Sequence, residues 1–132
     1  MSQGTIRTQD DALVDSWRGL LAQHARAHAA LERALKPHDL GVSEYEVLER
    51  LAGESEHADE RRMHELGKAL HLSQSALSRA VGRLEQDGFA VRGICPQDRR
   101  GIMVCITDAG RRRYEDARPA HRAALAEALG ER

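Results

Sequence analysis

Apolar residues recur every three or four positions in two long segments, one towards each end of the chain. The first segment runs from Asp11 to Pro37, and its nearly heptad face comprises Leu13, Trp17, Leu20, His24, His28 (or Ala27), Leu31 and Leu35. This spacing predicts a long amphipathic helix. Pro37 ends the helix, because proline cannot continue its backbone hydrogen bonds.

The second long segment runs from Asp108 to Leu129, directly after Thr107, a favoured helix-capping residue. Its thin, alanine-rich apolar face comprises Ala117, His121, Ala124, Leu125 and Ala128. Faces this long exceed what one small domain easily covers, so we expect both helices to pack partly against a second copy of the chain. The alternative for the first helix is that it lies wholly across its own core.

Shorter elements are predicted between the two long helices. Ser43 and Glu46 have the spacing of a capping box, in which each side chain satisfies a backbone N–H at a helix start. The predicted order is a helix over 43–52, an acidic surface loop over 53–60, a helix over 62–70, a tight turn over 71–73 and a helix over 74–87.

Two apolar runs, Phe89–Cys95 and Ile102–Ile106, flank the polar segment Pro96–Gly101 and predict a β-hairpin with a charged tip. We therefore predict a mainly α protein with a small β-hairpin wing. We expect residues 1–132 to form a single domain. Within it, a winged helix-turn-helix lobe over 43–106 lies between dimerisation helices at 11–37 and 108–129.

The helix over 74–87 has the residue pattern of a DNA-reading helix. Leu77, Ala80, Val81 and Leu84 share one face, which we expect to be buried. The opposite face and the helix cap supply polar and cationic groups suited to base edges and phosphates in a major groove: Ser73, Gln74, Ser75, Ser78, Arg79 and Arg83. The alternative is an ordinary amphipathic helix with a solvated polar face.

The hairpin tip carries Asp98, Arg99 and Arg100. An arginine at such a tip suits the negative potential of a narrow minor groove, and a neighbouring carboxylate can orient it. The alternative is a solvated charged turn.

Charge is distributed unevenly along the chain. Eleven Lys or Arg and five Asp or Glu lie from Arg61 to Arg113, a balance of +6, whereas the whole chain carries −1. A basic centre on an acidic scaffold favours binding of a polyanion such as double-stranded DNA, although chance segregation would give the same count.

Composition excludes several other classes of protein. The apolar fraction of 41% includes no run near the roughly 20 residues of a membrane span, and the N-terminus lacks the apolar core of a signal peptide. We therefore expect a cytoplasmic protein that does not contact a membrane. The sequence contains no phosphate-binding loop, nucleophile elbow or HExxH motif, so we expect neither an enzyme nor a cofactor.

The segment SQSALSRAVGRLEQDGFAVR (73–92), followed by CPQDRRG (95–101) and ITDAG (106–110), resembles the MarR family of bacterial transcriptional regulators. The resemblance covers roughly 42–121 and implies a homodimer on a pseudo-palindromic operator. The fourth helix would lie in the major groove and the wing in the minor groove, with Arg100 inserted and Asp98 orienting it.

The resemblance also implies a repressor that small phenolic or other aromatic anions release from DNA. In a urate-responsive branch the ligand set corresponds here to Trp17 and Glu60, but Gly93 stands where that branch has arginine. We therefore expect Trp17 to line a pocket for a different small planar ligand, the alternative being plain packing. The family usually continues for one more dimerisation helix beyond Arg132.

A metal-sensing regulator of the same fold is one alternative, since His24 and His28 are spaced to share a metal with His121. A redox-sensing regulator is another, through Cys95 and Cys105. A hairpin whose paired residue numbers sum to about 197 would place Cys95 opposite Ile102 and Cys105 opposite Arg92, so a disulfide would need a register shift. A dimerisation adaptor that does not bind DNA would be expected to lack the exposed Arg and Ser residues.

Overall fold

The structure, a computed structural model, describes residues 8–53, 60–95 and 98–130, of which 60–62, 94–95 and 98–100 are described by their backbone alone. Five helices and three strands follow one another in the order α1 (Gln9–Leu35), α2 (Val42–Leu51), β1 (Glu60–Arg62), α3 (Met63–Leu70), α4 (Gln74–Gln86), β2 (Ala90–Cys95), β3 (Asp98–Ile106) and α5 (Asp108–Leu129), with a short 3₁₀ turn over Lys36–His38. This order confirms the mainly helical winged fold.

The core lies where α2, α3 and α4 meet the sheet. Leu77, Ala80, Val81 and Leu84 are all buried, as the three- and four-residue spacing in α4 predicted. They pack in one apolar cluster with Tyr45, Leu48 and Leu51 of α2, Leu66 of α3 and Val104 of β3. Burial of each large apolar side chain contributes about 1.5–3 kcal/mol, so this cluster fixes the orientation of α4.

The start of α2 differs from the prediction. The helix begins at Val42 with Gly41 as its N-cap, and Glu44 instead of Glu46 accepts a hydrogen bond from the N–H of Gly41 at 3.0 Å. Gly41 has an extended backbone, so the reciprocal carboxylate must stand three residues after it. The predicted capping box of Ser43 and Glu46 is therefore wrong by two residues.

The wing contains one more strand than the sequence indicated. The strands pair antiparallel in the order β1-β3-β2, so Glu60 begins a strand and does not belong to the surface loop. The strand β3 includes the backbone of Asp98, Arg99 and Arg100, so the hairpin tip is shorter than the predicted segment Pro96–Gly101. Residues 96–97 lie outside the described part.

The hairpin register also differs by one residue. Ala90 pairs with Ile106, and Cys105 therefore lies opposite Val91 and not Arg92. A bulge at Ile94 and Cys95 then places Cys95 opposite Asp98 and not Ile102. Between these two pairs β3 contains three residues, 99–101, and β2 contains none, an irregularity that apolar alternation alone does not reveal. The two cysteines do not lie opposite each other in the ladder, as predicted.

The two long helices pack against each other over only part of their length. Ala27, Leu31 and Leu35 of α1 are buried, as are Ala117 and His121 of α5. The N-terminal half of α1 is exposed and still carries large apolar side chains. Among the described residues, no helix combines the length and the apolar character needed to cross a membrane.

Candidate nucleic-acid interface

The polar face of α4 is open to solvent. Gln74, Ser75, Arg79 and Arg83 are exposed and Ser78 is half-buried, on the side opposite the buried leucines. The structure therefore places these five predicted residues on one surface.

Ser73 supports this surface as a helix cap. Its hydroxyl accepts a hydrogen bond from the N–H of Ala76 at 3.1 Å, and its Oγ lies 3.3 Å from that of Ser75. Capping of this kind contributes about 1 kcal/mol to helix stability. The cap orients the first turn of α4, in which Gln74 and Ser75 lie.

Gln74 lies against a glycine of the preceding helix. A Cβ built on Gly67 would stand 2.6 Å from the side-chain Nε2 of Gln74 and 3.4 Å from the carbonyl oxygen of Leu72. Gly67 costs α3 about 1 kcal/mol of helix propensity against alanine. It leaves room for the glutamine amide at the start of α4.

Arg83 is joined to the start of α2. Its Nη1 lies 3.4 Å from Oε2 of Glu44, whose side chain is almost fully buried, whereas 72% of the Arg83 side chain is exposed. Two adjoining cavities of 540 and 270 Å³ between α1, the start of α2 and α4 share Glu44 and Arg83 in their walls. Arg79 lines the smaller one, so both arginines border the same groove.

The base of the wing is fixed to α4 by an ion pair. Nε of Arg92 donates to Oε1 of Glu85 at 2.8 Å, with both side chains about two-thirds buried. The side chains of Asp98, Arg99 and Arg100 lie outside the described part of the chain, so their groove contact stays a prediction.

Part of the basic centre serves the fold instead of the surface. Arg113 donates to the carbonyl of His38 at 2.5 Å and lies 3.6 Å from a carboxylate oxygen of Asp39, with its guanidinium 4.8 Å from the centre of the Phe89 ring. Arg111 donates to the carbonyl of Ala52 at 3.5 Å. The segment charge of +6 therefore overstates the charge available to a ligand.

The predicted metal set is not assembled among the described residues, and only one of the two predicted ligand residues, Trp17, has a described side chain. Trp17 is 59% exposed on α1, and Glu60 lies in β1 with its side chain outside the described part. The rings of His24 and His28 lie 5.9 Å apart, centre to centre, and are tilted by 32° to each other. The described residues form no group of three His, Cys, Asp or Glu side chains able to hold a metal, so the set of His24, His28 and His121 is not supported.

His121 instead belongs to a polar cluster between α2 and α5 that the sequence did not reveal. Its ring stacks on Tyr45 at 4.1 Å, and its Nδ1 lies 2.8 Å from Nη1 of Arg122. Arg122 also pairs closely with Glu49. Because a guanidinium only donates, Nδ1 accepts, while Nε2 has no hydrogen-bond partner among the described residues.

Burial and the contact with Glu49 shift the pKa values in this cluster. Burial lowers the pKa of His121 below 6.5, an effect that Glu49 opposes and Arg122 reinforces. Burial also raises the pKa of Tyr45, and Glu49 adds to that rise. The hydrogen bond to Glu49 raises the pKa of Arg122. His121 is thus held neutral at the junction between the long helices and the lobe.

Known proteins resemble this chain in sequence and in fold. A sequence model of the MarR family matches residues 38–101. The "Uncharacterized HTH-type transcriptional regulator YkoM" of Bacillus subtilis (strain 168) is 28% identical over 97 residues, which are 74% of this chain and 60% of that protein. The chain thus spans less than two thirds of the length of this curated relative.

Two solved structures extend the similarity over nearly the whole chain. CouR from Rhodococcus jostii RHA1, solved bound to p-coumaroyl-CoA, is 28% identical with a TM-score of 0.69, covering 97% of this chain and 82% of CouR. Sco3205, a MarR family transcriptional regulator from Streptomyces coelicolor solved in complex with DNA, is 30% identical with a TM-score of 0.79. The similarity covers 98% of this chain and 79% of the Sco3205 chain. With this fold and these matches, the chain belongs to the MarR family, whose members are transcriptional regulators and not enzymes.

Proposed function

We propose that this protein is a DNA-binding transcriptional regulator that binds a pseudo-palindromic operator as a homodimer. The observation that carries the proposal is the exposed polar and cationic face of α4, whose opposite face is locked into the core. A rigid helix of this kind suits a major groove. The wing, with Arg100 inserted and Asp98 orienting it, would enter the adjacent minor groove. The relative solved with DNA supports this assignment.

The homodimer is supported by the exposed half of α1. Leu13, Trp17 and Leu20 are each about 60% exposed, and Val14 and Leu21 lie beside them at 47%. An apolar stripe of this size on one helix marks an interaction surface. A second copy covers it best, because two-fold symmetry pairs the same stripe with itself and sets two recognition helices on two half-sites.

The third part of the proposal is regulation by a small aromatic or phenolic anion. The protein, in the cytoplasm, would repress transcription while it is bound to DNA, and the ligand would release the protein from the DNA. Trp17 would supply an aromatic wall at the dimer surface. The support is CouR, a relative solved with an aromatic acyl-CoA. If a titration with phenolic acids changes neither Trp17 emission nor DNA affinity, this part is wrong.

The test is selection of genomic fragments by the pure protein, followed by binding measurements on the enriched sequence. Arg100→Ala is expected to weaken binding by about 1–3 kcal/mol, and changes at Gln74 or Ser75 to alter sequence preference. Binding should weaken steeply with added salt. Failure to enrich any fragment would instead favour the adaptor that does not bind DNA.

A further inference from the structure

A buried carboxylate, Glu44, stands directly behind the DNA-facing surface of α4. Only 7% of the residue is exposed, so its charge needs partners. Oε1 accepts the N–H of Gly41 at 3.0 Å, and Oε2 lies 3.4 Å from Nη1 of Arg83. The carboxylate therefore has one oxygen fixed by the backbone of α2 and the other turned towards α4.

Gly41 contributes to this arrangement through its small size. A Cβ built there would stand 3.2 Å from Oε2 of Glu44, tighter than ordinary van der Waals contact. A glycine is nearly as good an N-cap as serine or threonine, so α2 loses little by having one. Its absence of a side chain leaves the carboxylate free to lie between the helix start and Arg83.

Arg83 itself extends from the groove towards solvent. Glu44 meets one terminal nitrogen, while 72% of the side chain stays exposed on the polar face of α4. A guanidinium carries five N–H donors in a rigid plane, so pairing through one end leaves others to meet a phosphate. The arrangement orders the long side chain before any ligand arrives.

We propose that Glu44 is a positioning residue for DNA binding, which holds Arg83 in the conformation that contacts a backbone phosphate. This rests on the proposed function, because it requires Arg83 to face DNA. The physical basis is preorganisation: immobilising a long side chain on binding opposes association, and the contact with Glu44 removes part of that cost beforehand. If Glu44 did not position Arg83, its carboxylate would only repel DNA.

The test measures affinity for a fluorescently labelled mixed-sequence duplex at several salt concentrations, with the wild type, Glu44→Gln, Arg83→Ala and the double variant. Glu44→Gln raises the net charge by one, which by itself would tighten binding. Preorganisation predicts the opposite, a loss of about threefold to tenfold. Arg83→Ala should weaken binding and reduce the salt slope by about one. Adding Glu44→Gln to Arg83→Ala should then cause no further loss.

Any other result would overturn the inference, and the variant that departs from expectation shows which step is wrong. If Glu44→Gln binds as tightly as the wild type or tighter, or loses the same factor in the Arg83→Ala background, Glu44 does not act through Arg83. If Arg83→Ala binds like the wild type, the phosphate contact fails as well. A wild type that binds no duplex would refute the proposed function itself.

A second variant covers the case in which Glu44→Gln does not fold, which thermal unfolding would show. Arg83→Lys changes an exposed residue and keeps the charge, but it replaces the planar fork with a single ammonium group. Its affinity should fall with the salt slope nearly unchanged. If Arg83→Lys bound DNA with wild-type affinity, the orientation of the Arg83 guanidinium would be unimportant and the inference would be wrong.

Discussion

The backbone carbonyl of Phe89 occupies the space in which a side chain on Gly110 would have to lie. A Cβ on Gly110 would fall well inside the contact distance of that oxygen and 2.9 Å from the carbonyl carbon. The same carbonyl accepts the N–H of Thr107 at 3.1 Å. Gly110 thus lets the first turn of α5 sit directly on the junction between α4 and the wing.

Gly110→Ala should therefore destabilise the protein towards the upper end of the roughly 1–3 kcal/mol typical of overpacking, because the obstacle is backbone and cannot rotate away. Urea unfolding followed by circular dichroism measures the loss. Gly93→Ala is the matched control, since nothing lies within 4 Å of a Cβ there. If the two variants had the same free energy of unfolding, the junction would accommodate the added methyl group at little cost.

The contact between Gly67 and Gln74 leads to a different expectation. Gly67→Ala adds a methyl group 2.6 Å from the flexible end of Gln74, so the amide must move while the backbone stays. Stability should be unchanged or rise by up to about 1 kcal/mol, because alanine favours the helix. If Gln74 reads a base, sequence preference in a selection from randomised operators should change at one position per half-site.

Gln74→Ala provides the control for this effect. In a protein that already lacks the glutamine amide, Gly67→Ala should cause no further change in sequence preference. A change that persists without Gln74 would mean that the methyl group acts on α4 itself.

Local patterns predicted much of this molecule. The buried face of α4, the Ser73 cap and the Thr107 cap all depend on residues within one or two helical turns, and each was predicted. Gly88, which follows α4, has a φ of 79°, a conformation that glycine adopts readily.

What the sequence could not show depends on partners far apart in the chain. Arg83 and Glu44 are 39 residues apart, and Arg113 and the carbonyl of His38 are 75 apart. Nothing in the spacing of such residues distinguishes an arginine that faces solvent from one that fastens two helices together. The pairing of β1 with β3 was missed for a different reason, because a three-residue strand has too few residues to show alternation.

Acid should weaken the junction between α2 and α5 through His121. Its pKa in the folded state lies below the 6.5 of the free side chain, so between these two values the unfolded chain binds more protons. The contribution of neutral His121 is thus fully present above about pH 6.5 and is lost as pH falls towards the folded-state pKa. Protonation at Nδ1 would also remove the acceptor of Arg122.

His121→Phe keeps the ring stacked on Tyr45 but cannot titrate. Its urea midpoint should fall less than that of the wild type between about pH 7.5 and about pH 5.5. His64→Gln, which removes an exposed histidine, should retain the wild-type dependence. The cause would lie elsewhere if His121→Phe and the wild type lost stability in parallel.

The exposed stripe on α1 gives the most direct test of assembly. Leu20 is 61% exposed, yet we expect it to be buried between two copies. A charge placed there would have to be desolvated in the dimer, so Leu20→Glu should raise the dimer dissociation constant at least about tenfold. Sedimentation velocity over a concentration series measures it. The emission of Trp17, one helical turn away, should shift to the red on dilution as that side chain meets water.

Ala22→Glu is the matched control, because it adds the same charge at an exposed position about 200° around α1 from Leu20. It should sediment like the wild type, because its carboxylate stays in water in either state. Both variants should retain the helical content of the wild type, since α5 and the lobe hold the C-terminal half of α1 through Ala27, Leu31 and Leu35. If Leu20→Glu remained dimeric with unchanged Trp17 emission, the two copies would have to meet through another surface, and the spacing of the two recognition helices would follow from that surface instead.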